Sequence, residues 1–76
     1  MVTLFRGSGW KIAVYAREHG VPHFHIEGPG HRCSVAIYSL EAIVGNVPAT
    51  VWREAVAWAR ENQASLLSKW RELNDE

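Results

Sequence analysis

The chain has 76 residues, of which 47% are hydrophobic, and its eight basic and eight acidic side chains cancel to a formal net charge of zero. This length allows one domain with a thin core, and the balanced charge argues against nonspecific binding to nucleic acid. Because the chain has one cysteine, no recognisable signal sequence and no apolar run of membrane length, we expect a cytoplasmic domain stabilised by a metal ion or a partner subunit.

The first half of the chain predicts a meander of short strands separated by glycine-containing turns. In several short runs, β-branched and aromatic side chains alternate in the manner of half-buried strands. Gly7, Gly20 and Gly30 lie between these runs, where a chain reversal needs the backbone freedom of glycine. The predicted strands are residues 2–5, residues 11–16, a segment starting at His23, residues 33–38 and residues 42–44.

The second half predicts one long helix from about residue 48 to residue 73. Asn46 can cap free backbone N–H groups, Pro48 suits a first helical turn, and neither glycine nor proline follows. Apolar side chains then recur at spacings of three and four, which predicts one apolar stripe along the helix. The chain therefore reads as a single α+β domain, residues 1–76, with an antiparallel β-meander of four to five short strands (about residues 2–45) packed against one long C-terminal helix.

The predicted helix is longer than the sheet, and this mismatch leaves two outcomes open. An unbroken helix would be about 39 Å long, whereas strands of five or six residues span about 17–20 Å. The helix could bend near Asn62 and Gln63 and return to the sheet, but neither residue is a strong helix breaker. We therefore favour an unbroken helix whose last turns extend beyond the sheet as an apolar surface for a partner. The residues predicted to bind that partner are Trp58, Leu66, Leu67, Trp70 and Leu73.

Two histidines in the third predicted strand are candidate metal ligands. His23 and His25 are two residues apart, so both rings project from the face opposite the apolar side chains. This spacing can chelate zinc or another divalent ion, but a complete site needs a third or fourth ligand, for which His19 is the first candidate. Further candidates in the flanking loop and the next strand are Glu27, His31 and Cys33. The alternative to a metal-binding module is a pair of partly exposed, hydrogen-bonded strand histidines.

Acid–base catalysis is a second interpretation of the same histidine pair. Two imidazoles that titrate near neutrality can exchange the roles of general acid and general base at about pH 7. Arg17, Lys11 or Arg32 could then stabilise a phosphate, as in metal-independent cleavage of RNA. This chemistry would make the protein a ribonuclease-type toxin with His23, His25 and Arg17 as candidate catalytic residues.

Three segments and a tryptophan carry a family resemblance. Residues 19–25 read His-Gly-Val-Pro-His-Phe-His, residues 34–37 read Ser-Val-Ala-Ile, and residues 45–48 read Gly-Asn-Val-Pro before a helix that bears Trp58. With these features the chain closely resembles, over nearly its whole length, the small bacterial proteins grouped as domain of unknown function 4160.

The most specific part of the resemblance is the run from Pro22 to His25. In the family an acidic residue and a histidine usually precede it, and Glu18 and His19 match them here. The family's usual pair of prolines is reduced to Val21-Pro22. The resemblance implies that the gene lies beside that of a second small protein, in a toxin–antitoxin-like pair, and it implies no catalytic residue.

A partner-binding protein is the function that these expectations favour. The domain would associate with a cognate small protein, or with a second copy of itself, through its C-terminal helix. We expect a non-enzymatic protein without an obligatory cofactor, and the alternatives are the ribonuclease-type toxin and a module that binds zinc at the histidines. We expect no membrane partner, and nucleic acid only jointly with a partner protein.

Overall fold

A computed structural model describes residues 1–74, which form a five-stranded antiparallel sheet followed by two helices. The strands lie side by side in chain order, so the predicted α+β meander is confirmed. Neither helix within residues 1–74 is long and apolar enough to cross a membrane. The elements are β1 (Val2–Arg6), β2 (Lys11–Val14), β3 (His23–Gly28), β4 (His31–Ala36), β5 (Ala42–Asn46), α1 (Ala49–Glu61) and α2 (Gln63–Asn74).

Strand pairing divides the side chains of the sheet between two faces. Ile12 of β2 pairs with Ile26 of β3, and both are fully buried on the face that packs against the helices, here called the helix face. Ala13 pairs with His25, and His25 pairs with Ser34, on the opposite face. Because side chains alternate along each strand, this second face, here called the histidine face, also carries the other odd-numbered residues of β3.

The hydrophobic core lies between the helix face and the two helices. Ala55 and Ala59 are fully buried, and their small side chains let α1 approach the sheet closely. Phe5 stacks on Trp58 with ring centroids 5.0 Å apart and extends the core toward β1 at the edge of the sheet. The largest fully buried side chains are Phe24, Ile12, Ile26, Ile37, Leu66, Val14 and Val35.

The prediction of a single long helix is wrong, because the chain leaves the helical conformation at Asn62. This residue has φ −134° and ψ 25°, and its side-chain amide donates to the Trp58 carbonyl at 2.8 Å. In an unbroken helix that carbonyl would accept the Asn62 backbone N–H. Gln63, the first residue of α2, donates from Nε2 to the carbonyl oxygens of Ile37 (2.6 Å) and Tyr38 (3.2 Å) after β4. Contacts with the sheet therefore fix the break, and α2 packs on β2 and β3.

The five residues predicted to bind a partner do not form an exposed surface. Leu66 is fully buried and Trp70 is 5% exposed, and both belong to the domain's own core. Trp58, Leu67 and Leu73 are half-buried and pack against that core. The expectation of an apolar surface on the last helical turns is therefore wrong, because the break between the helices lets the sheet cover α2.

The start of α1 also differs from the prediction. Asn46 is the last residue of β5 and does not cap the helix. Pro48 occupies the N-cap position, without a side-chain hydrogen bond, and its carbonyl accepts the Trp52 N–H at 2.9 Å. The first turn of α1 is therefore held by a backbone hydrogen bond, without a side-chain cap.

Candidate functional site

The connection between β2 and β3, here called the site loop (residues 15–22), folds back over the histidine face. Arg17 has a φ of 62°, and this left-handed conformation reverses the chain directly before Glu18. The loop is tied to the last turn of α2, because the Glu18 N–H donates to Asn74 Oδ1 at 2.9 Å and Asn74 Nδ2 donates to the Tyr15 carbonyl at 3.0 Å. These bonds fix the backbone from which the Glu18 side chain reaches the strands.

Three side chains converge beneath the site loop. Glu18 Oε1 lies 2.7 Å from Nε2 of His25 and 2.9 Å from Nε2 of His23. The two histidines project from the same face of β3, as predicted from their spacing. The three potential ligand atoms lie within 4.8 Å of one another, and within residues 1–74 they form the one group of three or more side chains that could hold a metal ion.

The second ring nitrogen of each histidine contacts a group of the same chain. His23 Nδ1 lies 2.8 Å from the Val21 carbonyl oxygen, and His25 Nδ1 lies 3.4 Å from Ser34 Oγ. A carbonyl oxygen can only accept a hydrogen bond, so His23 carries a proton on Nδ1. In the neutral ring, Nε2 then directs a lone pair at a lone pair of the Glu18 carboxylate. Because these two lone pairs repel each other, the contact needs a positive charge between or beside them. A metal ion or a second proton on the ring supplies that charge.

The cluster of Glu18, His23 and His25 is more enclosed than the sequence indicates. Their side chains are 29%, 12% and 10% exposed, respectively. The Tyr15 ring packs edge-on against His25, and the Trp70 ring contacts His23, each with ring centroids 4.8 Å apart. The histidines lie on the predicted face, but the expectation that both would be partly exposed is wrong for His25, which is buried.

An open cleft of about 320 Å³ lies over the cluster. The site loop contributes Val21 to its lining, and β5 contributes Ile43 and Val44. Ser34 of β4 lies between them in the lining, next to His25. The cleft therefore combines a polar centre with apolar sides.

The electrostatic state of Glu18 follows from two opposing effects. Partial burial of the carboxyl group opposes ionisation, whereas hydrogen bonds from His25 and His23 and the positive charges of those rings, present when both ring nitrogens carry protons, favour it. The second effect is larger, so the pKa of Glu18 lies below its ordinary value. The carboxylate is therefore ionised at neutral pH and is available as a ligand for a cation.

The other candidate ligands from the sequence lie outside the cluster. His19 is exposed and lines the cleft without converging on the other three side chains. Glu27 accepts a hydrogen bond from the Tyr15 hydroxyl at 2.6 Å, and His31 lies at the turn end of β4. Cys33 is buried in the core, and that burial raises the pKa of its thiol. Of the candidate ligands predicted from the sequence, His23 and His25 are therefore the two that lie in the cluster.

The cations predicted to stabilise a phosphate are not brought to the histidines. Lys11 Nζ and Arg32 Nη2 lie 4.0 Å and 3.1 Å from the Glu27 carboxylate. Arg17 is exposed on the site loop. None of these three cations lines the cleft over the cluster.

Glu18 and Ser34 are the site residues that were not among the predicted ligands or catalytic groups. Strand periodicity says nothing about a loop that returns over a sheet, so it could not reveal Glu18. The one sequence signal was the acidic residue that precedes the Pro-His-Phe-His run in the family resemblance. Ser34 could have been found from β3–β4 pairing, because it lies opposite His25 across the hairpin.

Comparison with known proteins identifies a family without an assigned activity. The family model described as Domain of unknown function (DUF4160) matches residues 9–71, so the chain belongs to this family. No curated protein and no solved structure matches the chain.

Proposed function

We propose that this member of the DUF4160 family binds one divalent transition-metal ion, with zinc as the reference, through Glu18 Oε1 and the Nε2 atoms of His23 and His25. The orientation of the rings carries the proposal: each Nδ1 contacts a group of the same chain, and both Nε2 atoms face one carboxylate oxygen. Metal-binding histidines usually have such a partner on the second nitrogen, which fixes the tautomer and the ring. Two histidines and a carboxylate occur in catalytic zinc sites and in non-haem iron sites. We place this function in the cytoplasm, where the buried thiol of Cys33 would stay reduced.

The geometry of the cluster is close to that of a metal site. Tetrahedral zinc with bonds of about 2.0–2.1 Å separates its ligand atoms by about 3.3 Å. Glu18 Oε1 is now 2.7 Å and 2.9 Å from the two Nε2 atoms, so the carboxylate would have to withdraw by about 0.5 Å. Glu18 is the most exposed of the three ligands and lies on the site loop, whereas β3 holds both histidines. The movement of the carboxylate is therefore assigned to the loop, and the two Nε2 atoms, which lie within 4.8 Å of each other, must likewise come to about 3.3 Å in a tetrahedral site.

Zinc titration of tag-free protein, freed of metal by a chelator, tests the proposal. Calorimetry should show one ion bound per chain, and bound zinc should raise the melting temperature because binding stabilises the folded state. Removal of an outer partner of a metal-bound histidine typically costs 10–100-fold in affinity, so loss of a ligand should cost more than about 100-fold. We expect losses of that size for His25→Ala and for Glu18→Gln, which keeps the size of the side chain.

Two other histidines provide matched controls. His19→Ala and His31→Ala each remove one imidazole from outside the cluster and should leave the affinity for zinc unchanged. Circular dichroism of each variant shows whether the fold persists, and Glu18→Gln carries the test if His25→Ala unfolds. Lack of saturable binding by the wild-type chain, or equal affinity in the Glu18 and His19 variants, would refute the metal site.

The ribonuclease-type activity has less support than metal binding. Both Nε2 atoms are directed at the same carboxylate, which leaves neither histidine in an arrangement typical of a separate acid and base. Lys11 and Arg32 are engaged with Glu27. The activity stays a hypothesis that the absence of growth arrest on expression of the wild-type chain would refute.

Association with a second copy of the chain is a separate candidate function, and strand β5 favours it. All five residues of β5 are exposed, and the strand forms one edge of the sheet. Two-fold pairing of β5 with its copy would satisfy the free backbone groups of this edge, next to the side chains of Ile43 and Val44, which are 49% and 67% exposed. Light scattering should show a dimer that Ile43→Lys converts to a monomer. A wild-type monomer at every concentration would refute self-association, and co-purification of a second small protein would assign the surface to a toxin–antitoxin-like pair.

A further inference from the structure

We propose that the cleft over the cluster binds a small aliphatic monoanion, of the class of branched-chain carboxylates, with its carboxylate on the bound metal ion. This inference rests on the proposed metal site and adds the chemical class of its ligand. Three features of the cleft support it: the number of protein ligands, the charge of the lining and the apolar sides.

The number of ligands leaves room for a further donor. Glu18, His23 and His25 supply three ligand atoms, and the cluster contains no fourth side chain within residues 1–74. A four-coordinate ion therefore keeps at least one position for an external oxygen donor. Glu18 is the most exposed ligand, and all three ligands line the cleft, so that position faces the cleft. The volume of about 320 Å³ lies at the small end of the range for ligand sites.

The charge of the lining selects one negative charge. A divalent ion with one carboxylate and two neutral imidazoles has a net charge of about +1, which a monoanion neutralises. None of the side chains that line the cleft within residues 1–74 is a lysine or an arginine. Lys11 and Arg32 are instead paired with Glu27 outside it. A phosphate monoester or a nucleic-acid backbone would therefore lack the cationic partners that such groups usually have in proteins.

The apolar sides select an aliphatic chain. Val21, Ile43 and Val44 line the cleft and are 57%, 49% and 67% exposed, which is high for large apolar side chains. They come from the site loop and from β5, so they flank the metal-binding centre. An alkyl group attached to the metal-bound carboxylate would cover them, and each buried methylene group is worth about fourfold in affinity.

Titration of the cobalt-loaded protein with carboxylates tests the inference. The visible absorption bands of Co²⁺ change when an external ligand enters its coordination sphere, so they report binding directly at the ion. Isovalerate has three more carbon atoms than acetate and should bind about 10- to 30-fold more tightly. This gain is smaller than about fourfold for each added carbon atom would give, because the open cleft buries the alkyl group only in part. Inorganic phosphate should bind no more tightly than acetate.

Variants of the cleft identify the source of the preference. Val44→Ser should reduce the ratio of isovalerate to acetate affinity about threefold or more. Tyr38→Ser is the matched control, because Tyr38 is 63% exposed but does not line the cleft, and it should preserve the ratio. Equal binding of acetate and isovalerate, an unchanged ratio in Val44→Ser, or tighter binding of phosphate would overturn the inference. If the protein does not bind Co²⁺, the proposed metal site is refuted, and the carboxylate site with it. If the protein binds Co²⁺ but does not prefer isovalerate to acetate, only the carboxylate site is refuted.

Discussion

Replacing Leu66 by alanine should lower the free energy of unfolding by about 3–4 kcal/mol. The side chain is fully buried in the core, so the substitution removes apolar contacts and leaves a cavity between α2 and the sheet. A domain of 76 residues has about 4–11 kcal/mol of stability in total, so the loss amounts to between about a quarter and all of it. At about 4–8 °C for each kcal/mol, the melting temperature should fall by about 12–30 °C.

Urea unfolding at two protein concentrations measures this loss and separates it from an effect on association. Leu67→Ala is the matched control, because the neighbouring side chain is only half-buried and its removal should cost less than half as much. If Leu66→Ala leaves the monomer as stable as the wild type and weakens only its binding to another chain, then α2 does not pack on its own sheet as described.

Three further predictions concern groups that connect the helices, the strands and the cluster. Gln63→Ala removes both hydrogen bonds from α2 to the carbonyl groups after β4 and should cost about 1–2 kcal/mol in urea unfolding; an unchanged midpoint would show that these bonds do not fix the helix break. Burial, together with the hydrogen bond to Glu27 and its charge, raises the pKa of Tyr15 to about 12. The neutral Tyr15 side chain stabilises the folded state fully below the unfolded pKa of about 10, and this contribution is lost as the pH rises through about 12. Subtracting the absorbance titration of Tyr15→Phe from that of the wild type isolates Tyr15, and the difference should have its midpoint near 12; a midpoint near 10 would contradict this. Ser34→Ala should weaken zinc binding about 10-fold by removing the group beside His25 Nδ1, and calorimetry that finds no change would show that Ser34 does not orient the ring.

The strands were readable from the sequence because local patterns determine them. Alternating apolar side chains and glycine-containing turns predicted the five strands in their order, and the structure confirms the meander. The boundaries differ by a few residues: β2 ends at Val14, whereas the predicted strand ends at residue 16. Residues 15 and 16 belong instead to the site loop, which turns back over the sheet. Asn46 was misread as a helix cap because it lies in β5, two residues before the proline that begins α1.

The break between α1 and α2 could not be predicted from the sequence, because contacts with residues far away in the chain produce it. Asn62 and Gln63 are compatible with a helix in isolation, and the apolar stripe that they interrupt resumes in phase at Leu66, seven residues after Ala59. The break is stabilised by carbonyl groups that follow β4, about 25 residues earlier in the chain, and by burial of Leu66 and Trp70 against the sheet. An apolar stripe shows which side chains are buried, but not whether its own sheet or another chain buries them.

The two histidines of the candidate site could be predicted from the sequence because, like the strands, they follow from a local pattern. The spacing of His23 and His25 placed both rings on one face, and strand geometry makes that placement a local property. The position of Glu18, the third member of the cluster, depends on how the site loop folds, and residue patterns carry little information about loop conformation. The expected overhang of the helix, by contrast, is absent, because the domain's own core buries Leu66 and Trp70.

Because hydrogen bonds to Asn74 tie the site loop to α2, we expect the loop to open without unfolding of the sheet. Every strand pairs with its neighbour in the chain, so the sheet can assemble from successive hairpins, whereas Glu18 and Tyr15 meet Asn74 across 56 and 59 residues. We therefore expect the loop to become ordered late in folding and to lose its order first, because a few hydrogen bonds tie it down and strand pairing does not depend on them. In hydrogen exchange, we expect the amide proton of Glu18 to exchange faster than those of β3, and such a local opening would uncover the two imidazoles.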